Sequence, residues 1–393
     1  MLDFKGEKLK MRYDENRLKL SEKKCMKNSI KKAKNEYHKQ TGITIIALIV
    51  TIIMLLILSG ITITMLSGEN GIIKHTITAK ENFEKANKLE SLRLKVLGSL
   101  DDRGNLSIEK LKETLKENKI EYNQNNELPI RVSMKNSKYI ITKGGQVIED
   151  VEDYNKKDLM VCLDATHNTY NGYDKSTTIW YDLSGNENNA ILSDFEFNDV
   201  SGWKNGSLKV RGNTSEKIMS KESIKIPFGL KENESFSVEM VFEDNDQIRT
   251  TYLSSDNGWH TFRFHDHYNS AGIFDGEFYI GGNIYSNYNN RFEPKDTGYL
   301  LKSNRIYYIA YTYEANTNRA TLYINGTKNS YTKNYIGNSE ACNYFIIQAL
   351  DEDGTESGSA TYHQIRIYNR ALSREDIEKN FSIDSLKYKI YDN

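Results

Sequence analysis

Hydrophobic and polar positions change their period three times along the chain. From Ile43 to Met65 there is no charged residue and the run is apolar almost throughout. About 20 such residues span a bilayer as a helix, so a transmembrane helix is predicted over 43–66. A secretory signal has a shorter core of ~7–15 residues followed by a small-residue cleavage site, and no A-x-A pattern follows this run. Next, Ile73, Ile77, Phe83, Ala86, Leu89 and Val96 recur near helical spacing with Lys and Glu between them, which predicts an amphipathic helix over 67–100. Gly68 and Gly71 weaken the join, because glycine costs helix stability. An unbroken helix from Ile43 to Leu100 would be ~85 Å long at ~1.5 Å per residue.

Residues 101–152 read as a small α/β module. "NLSIEKLKETLKENK" is a helix with Ser107 as its N-cap. "LPIRVSMKNSKYIITKGGQVIED" gives short strands with Gly144-Gly145 at a hairpin turn. Residues 153–158 form a charged linker. From Leu159 the helical period gives way to strands separated by Gly, Asn, Ser and Asp. "FSVEMVFED" alternates Phe236, Val238, Met240 and Phe242 against polar positions, and "RIYYIAYTYEANTNRATLYING" is two strands around a polar turn. Many strands without intervening helices predict a β-sandwich or jelly roll over 159–386, with a tail at 387–393. The fold class is therefore multi-domain, α+β then all-β.

Charge adds an orientation. The chain's net charge of −1 hides a basic head, with 13 Lys/Arg against 6 Asp/Glu in residues 1–42, and an acidic remainder, with 40 against 48. A basic flank before an apolar run stays cytoplasmic, so the C-terminal part faces outward. Its acidity argues against nucleic acid, whose phosphates need a basic surface. Of three cysteines, Cys25 lies in the basic head; Cys162 and Cys342 sit in β-patterned runs and read as buried thiols rather than a disulfide framework.

The residues before the apolar run, "KQTG" and then "ITIIAL", resemble the signal of type IV prepilins. The resemblance implies cleavage after Gly42 by a prepilin peptidase, N-methylation of Ile43, and retention of the helix as a membrane anchor that later packs against other pilin-like subunits. The family usually carries Glu at the fifth mature position, where this chain has Ala47. That departure points to a minor or variant subunit. Met26 offers an alternative start that leaves a leader of more usual length.

"LDATHNTYNGYDKSTTIWYDLSGNENNA", "YYIAYTYEANTNRATLYINGT" and "YHQIRIYNRALSREDIEKNF" together resemble a laminin-G-like, concanavalin A-like jelly roll. In the last stretch Ser373 and Asp376 have near capping-box spacing. The resemblance implies a fold and leaves function open among glycan binding, protein binding and spacing.

Candidate chemistry is sparse. Laminarinase-like members of that superfold carry E-x-D-x-x-E on a strand, and glycoside hydrolysis needs two carboxyls facing one groove. Here Glu352, Asp353 and Glu356 match only in spacing and sit in a loop composition, so no catalytic residue is assigned and the chain is read as a non-enzyme. Asp351, Asp353 and Glu356 are hard oxygen donors suited to Ca²⁺, but the string lacks the full EF-hand pattern and an acidic surface loop is usually just solvated. Asp182, Ser184, Asn186 and Asn188 form a second oxygen-rich loop, read as a turn held by Asx bonds. His265 and His267 share a strand face while His260 points away; without a third ligand, zinc is not assigned. Trp259, Tyr285, Tyr288 and Arg291 lie in polar loop compositions where rings stack on sugar faces. The expectation is a bacterial envelope protein with a cytoplasmic N-terminus and a surface-displayed jelly roll. That lobe would bind an extracellular glycan or protein, in a filament or secretion pseudopilus. The alternatives are an uncut single-pass lectin-like adhesin and, behind it, a secreted polysaccharide hydrolase.

Overall fold

The computed structural model describes residues 18–32, 48–56, 72–123, 127–135, 137–150, 153–212, 222–245, 250–267, 278–283, 291–292, 294–335, 339–348 and 358–390. It comprises two units, Met1–Glu84 and Lys85–Asn393.

In the first unit, residues 18–32 and 48–56 are helical. Among the described residues no helix is long and apolar enough to cross a membrane; of the apolar run, only 48–56 is described. Within it Leu48, Ile49, Val50, Ile52, Ile53, Met54, Leu55 and Leu56 are all exposed. A helix spans Ile72–Gly98. The sequence pattern assigns Ile77 and Phe83 to its apolar face, yet both are exposed, at 53% and 67%.

In the second unit that helix does find a partner. Its buried face is Leu89, Leu92 and Val96, spaced i, i+3, i+7 along one side. A second helix, Ile108–Glu117, begins as predicted at Ser107, whose hydroxyl accepts from the Lys110 amide. It buries Leu111 and Leu115, one turn apart. Both pack on a four-stranded antiparallel sheet in the order Glu121–Tyr122, Ile130–Met134, Ser137–Ile141, Val147–Glu149. Ile130, Val132, Tyr139, Ile141 and Val147 close this small core. Gly144-Gly145 lies in the turn between the last two strands, with Gly145 at φ +79°.

The larger part is a two-sheet antiparallel sandwich. One sheet runs Asn329–Asn334, Arg319–Ile324, Ile306–Glu314, Phe236–Asp244, Ala360–Tyr368, and then pairs the last strand with both Leu159–Asp164 and Ser207–Val210, ending at Gly202–Lys204. The other runs Arg291–Phe292, Phe278–Asn283, Gly258–His267, Thr251–Ser255, Phe345–Ile347, Ser223–Ile226, Ala190–Ser193, Ile179–Trp180, with Leu300–Leu301 also on Phe278–Asn283. Phe236, Val238, Met240 and Phe242 enter the interior as their alternation predicts, against Leu192, Ile224, Phe262, Phe264 and Phe345.

The opposite side of Phe236–Asp244 is not the solvated face that its polar residues suggest. Ser237 and Glu239 are fully buried, because helix Arg374–Tyr388 lies over Val241, Tyr308, Ala310 and Tyr368 through Ile377 and Tyr388. Ser373 and Asp376 form a capping box at its start. Under this helix the Arg366 Nε donates to Glu239 Oε2 at 2.6 Å, and its Nη2 donates to Asp384. Tyr308 Oη donates to Glu239, Asn380 Nδ2 donates to both Glu239 oxygens, and Tyr154 Oη donates to Asp384 Oδ1. A buried ion pair needs this many partners to offset its desolvation. Beyond the helix Ile390 is also buried. Cys162 and Cys342 are free and buried, and burial pushes each thiol up to about 12.

Candidate functional site

Between the α/β module and the sandwich lies a cleft of about 660 Å³. That size is within the ~300–1,000 Å³ span of small-molecule sites. Its floor is the stretch from Asn168 to Tyr181, which the sequence folds tightly. The Thr169 and Gly172 amides each donate to the other's carbonyl, at 2.9 and 3.2 Å. Gly172 has φ +117°, a conformation glycine adopts without steric cost. The buried Asn168 side chain braces Asp174, donating to its carbonyl and accepting from its amide at 2.7 and 2.8 Å. Asp174 Oδ1 in turn accepts from the Ser176 amide and hydroxyl, and those bonds hold the carboxyl below its usual range.

Three tyrosines line this floor. Tyr170 and Tyr181 meet edge to face with centroids 4.7 Å apart, and Tyr173 is 42% exposed. Tyr170 Oη donates to Asn189 Oδ1 at 3.3 Å; burial first, then the Asp182 and Glu187 carboxylates, push its phenol up, so it stays protonated. Thr169, Asn171, Asp174 and Thr177 supply the polar groups, and Arg93 and Gln146 enter from the module side. Arg93 Nη2 donates to Asn171 Oδ1 at 3.2 Å. A smaller recess of about 230 Å³ adjoins, reached by His167, Glu149 and Leu183.

The junction that sets this cleft is specific. The Lys143 amide donates to Gly185 O at 2.9 Å and the Thr142 hydroxyl to Glu187 at 2.6 Å. Gly185 lies so close to Pro129 and Ile140 that a Cβ there would come within 2.7 Å of each. The Asp182 loop is a hydrogen-bonded turn, as its composition suggests. Asp182 Oδ1 accepts from the Cys162 and Ser184 amides, and Oδ2 from the Ser184 hydroxyl and the Asn188 amide. Burial pushes its carboxyl up to about 6 against those bonds.

Few of the residues singled out from the sequence are described. Gly42, Ile43 and Ala47 lie outside the described residues, as do Tyr285, Tyr288, Asp351, Asp353 and Glu356. Trp259, His260 and His267 lie on strand Gly258–His267, and Arg291 opens the strand Arg291–Phe292; the positions of their side chains are outside what is described. His265 is buried on the side of its strand away from Phe262 and Phe264, with Arg263 and Thr261. Among the described residues no three His, Cys, Asp or Glu side chains come together as a metal site.

Residues 219–378 match the family described as the Concanavalin A-like lectin/glucanases superfamily, so the C-terminal region carries a domain of that class. No curated protein matches the chain. Among solved structures, the binding domain of botulinum neurotoxin serotype D is similar at 17% identity and a TM-score of 0.39, covering 59% of this chain and 53% of that one. Trypanosoma rangeli sialidase is similar at 14% identity and a TM-score of 0.38, covering 60% and 34%. The chain thus spans about half of the first and a third of the second.

Proposed function

We propose that the chain is a surface subunit that displays its concanavalin A-like domain outside the envelope to bind an extracellular glycan, without turning it over. The tyrosine-lined, polar cleft beside the Asn168–Tyr181 stretch carries this reading. It joins ring faces to hydrogen-bonding groups held rigidly by the backbone, which is what saccharide recognition asks for. The anchoring half rests on the N-terminal sequence: cleavage after Gly42 by a prepilin peptidase, a retained helix in the membrane, and packing against other pilin-like subunits. Eight exposed apolar side chains in nine residues of helix 48–56 support it, since apolar surface on that scale is covered by lipid or by like helices in a working protein. Ala47 and the bulk of the lobe favour a minor position.

Two measurements test the proposal. Full-length protein extracted in detergent and applied to a glycan array, with and without Ca²⁺, should retain a defined set of oligosaccharides; an array with no retained glycan removes the binding half. N-terminal sequencing of the protein from envelopes should give methylated Ile43. The second reading is an uncut single-pass adhesin, which an intact lysine-rich head would establish.

A further inference from the structure

Building on the glycan reading, we propose that the cleft selects a short oligosaccharide carrying a carboxylate, a uronate unit, with Arg93 as the group that receives it. Arg93 is half-buried, and among the described residues it makes one side-chain hydrogen bond, to the neutral Asn171 Oδ1, and meets no carboxylate within salt-bridge reach. Three other half-buried or buried arginines of this unit do meet one: Arg131 with Asp150, Arg366 with Glu239 and Asp384, and Arg370 with Asp376. A guanidinium presents five N–H donors in a planar fork that matches a carboxylate, so Arg93 keeps most of its donor capacity facing a cleft.

The rest of the lining fits a sugar better than a peptide or a polyanion. Among the described residues none of it is aliphatic: beside Arg93 it offers tyrosine rings, threonine hydroxyls, two carboxamides and Asp174. Asp174 Oδ2 makes no hydrogen bond among the described residues, while Oδ1 is occupied by Ser176. That leaves an acceptor for sugar hydroxyls in the same cleft as a donor fork for a carboxylate. One cation beside one anion suits a singly charged unit and opposes a phosphate-rich ligand, which needs several cations. Because Arg93 stands on helix Ile72–Gly98 and Tyr173 and Asp174 on the sandwich, the ligand would touch both.

The test is a calorimetric titration of the full chain in detergent with trimers of galacturonate, glucuronate and mannuronate, each beside its carboxyl-reduced counterpart. At least one uronate trimer should bind tenfold or more tighter than its reduced form, with affinity falling as salt rises. Arg93→Gln should collapse that ratio to near one, and Tyr173→Ala should weaken both forms. The comparison of two ligands on the unaltered protein stands even where a variant misfolds. Equal affinity for a trimer and its reduced form, an Arg93→Gln ratio unchanged from wild type, or an acidic peptide that binds as tightly would each overturn the acidic assignment while leaving glycan binding in place. Failure of every trimer and of the whole array would overturn both.

Discussion

Replacing Arg366 by methionine tests what holds the C-terminal helix to the sandwich. The guanidinium is fully buried and makes three hydrogen bonds to two carboxylates, Glu239 and Asp384, and stacks 3.9 Å over the Tyr154 ring. One cation thus faces two carboxyls, and burial pushes Asp384 up. Methionine keeps the side chain's length and removes the charge, so the carboxylates lose the partner that made their burial tolerable. Breaking a buried pair in this way costs about 3–5 kcal/mol. An independent estimate agrees: protonating one carboxyl of ordinary pKa ~4 at pH 7 costs about 4 kcal/mol, at 1.36 kcal/mol per unit. A domain's whole stability is only about 5–15 kcal/mol, so the loss is readily measured.

Urea unfolding is the assay, followed by the fluorescence of Trp180 and Trp203, which meet edge to face in the interior. Thiol labelling of Cys162 adds a local readout, because that thiol is buried in the cluster beneath the helix. Arg366→Met should lower stability by about 4 kcal/mol at pH 7 and by roughly a third of that at pH 5, where protonation is cheaper, and should expose Cys162 before the tryptophans respond. Adding Glu239→Gln and Asp384→Asn should restore most of the loss, because the amides keep acceptors for Tyr308 and Tyr154 without charge. A single variant that loses under 1 kcal/mol, or a triple variant no better than the single, would show that the network is not what secures the helix.

Other changes have defined outcomes. His363 packs 5.2 Å from Tyr388 and its Nε2 is buried without a partner among the described residues, so burial drops its pKa to about 4. With the folded value below the ordinary 6.5, its contribution is complete above pH ~6.5 and is lost as pH falls toward 4, up to about 3 kcal/mol. Asp182, raised to about 6, loses stability in the opposite sense as pH rises from 4 to 6, so the check is the difference between wild type and His363→Gln across pH 4–7: wild type should gain stability over the variant, by up to about 3 kcal/mol, as pH rises. Gly326 sits at φ +92° with Phe381 2.6 Å from any Cβ placed there, so Gly326→Ala should cost about 1–3 kcal/mol by urea unfolding, through strain and a displaced helix. Ser373→Ala removes the capping-box hydroxyl and should cost about 1 kcal/mol in the same assay.

Much of the fold was legible because local rules and tertiary packing agree there. Ser107 and Ser373 cap helices as their sequence neighbours suggest, and Phe236 through Phe242 alternate into the interior. The reading failed where a second layer covers what looks like a solvent face. Ser237 and Glu239 have the pattern of an exposed strand face, and only a helix that begins at Arg374 buries them. The same holds in helix Ile72–Gly98: Ile77 and Phe83 share its apolar period, but the residues that meet the small sheet are Leu89, Leu92 and Val96. Periodicity identifies a face and says nothing about how far along it the partner extends.

The cleft was half legible, and the half that was missed explains why the site is there. Tyr170, Tyr173 and Tyr181 fall within twelve residues beside Asn, Asp and Gly, the same composition that singled out Tyr285 and Tyr288, so their loop could have been chosen on identical grounds. No local pattern could have added Arg93, which lies 78 residues before Asn171 on a helix whose amphipathic pattern marks a packing face and not a ligand group. Its place in the cleft depends on a joint: Lys143 bonded to Gly185, Thr142 to Glu187, and a glycine where any side chain would strike Pro129 and Ile140. Such a joint holds the two lobes at one spacing. A side chain at position 185 would pry that joint open, so a binding surface built across it is only as precise as Gly185 allows.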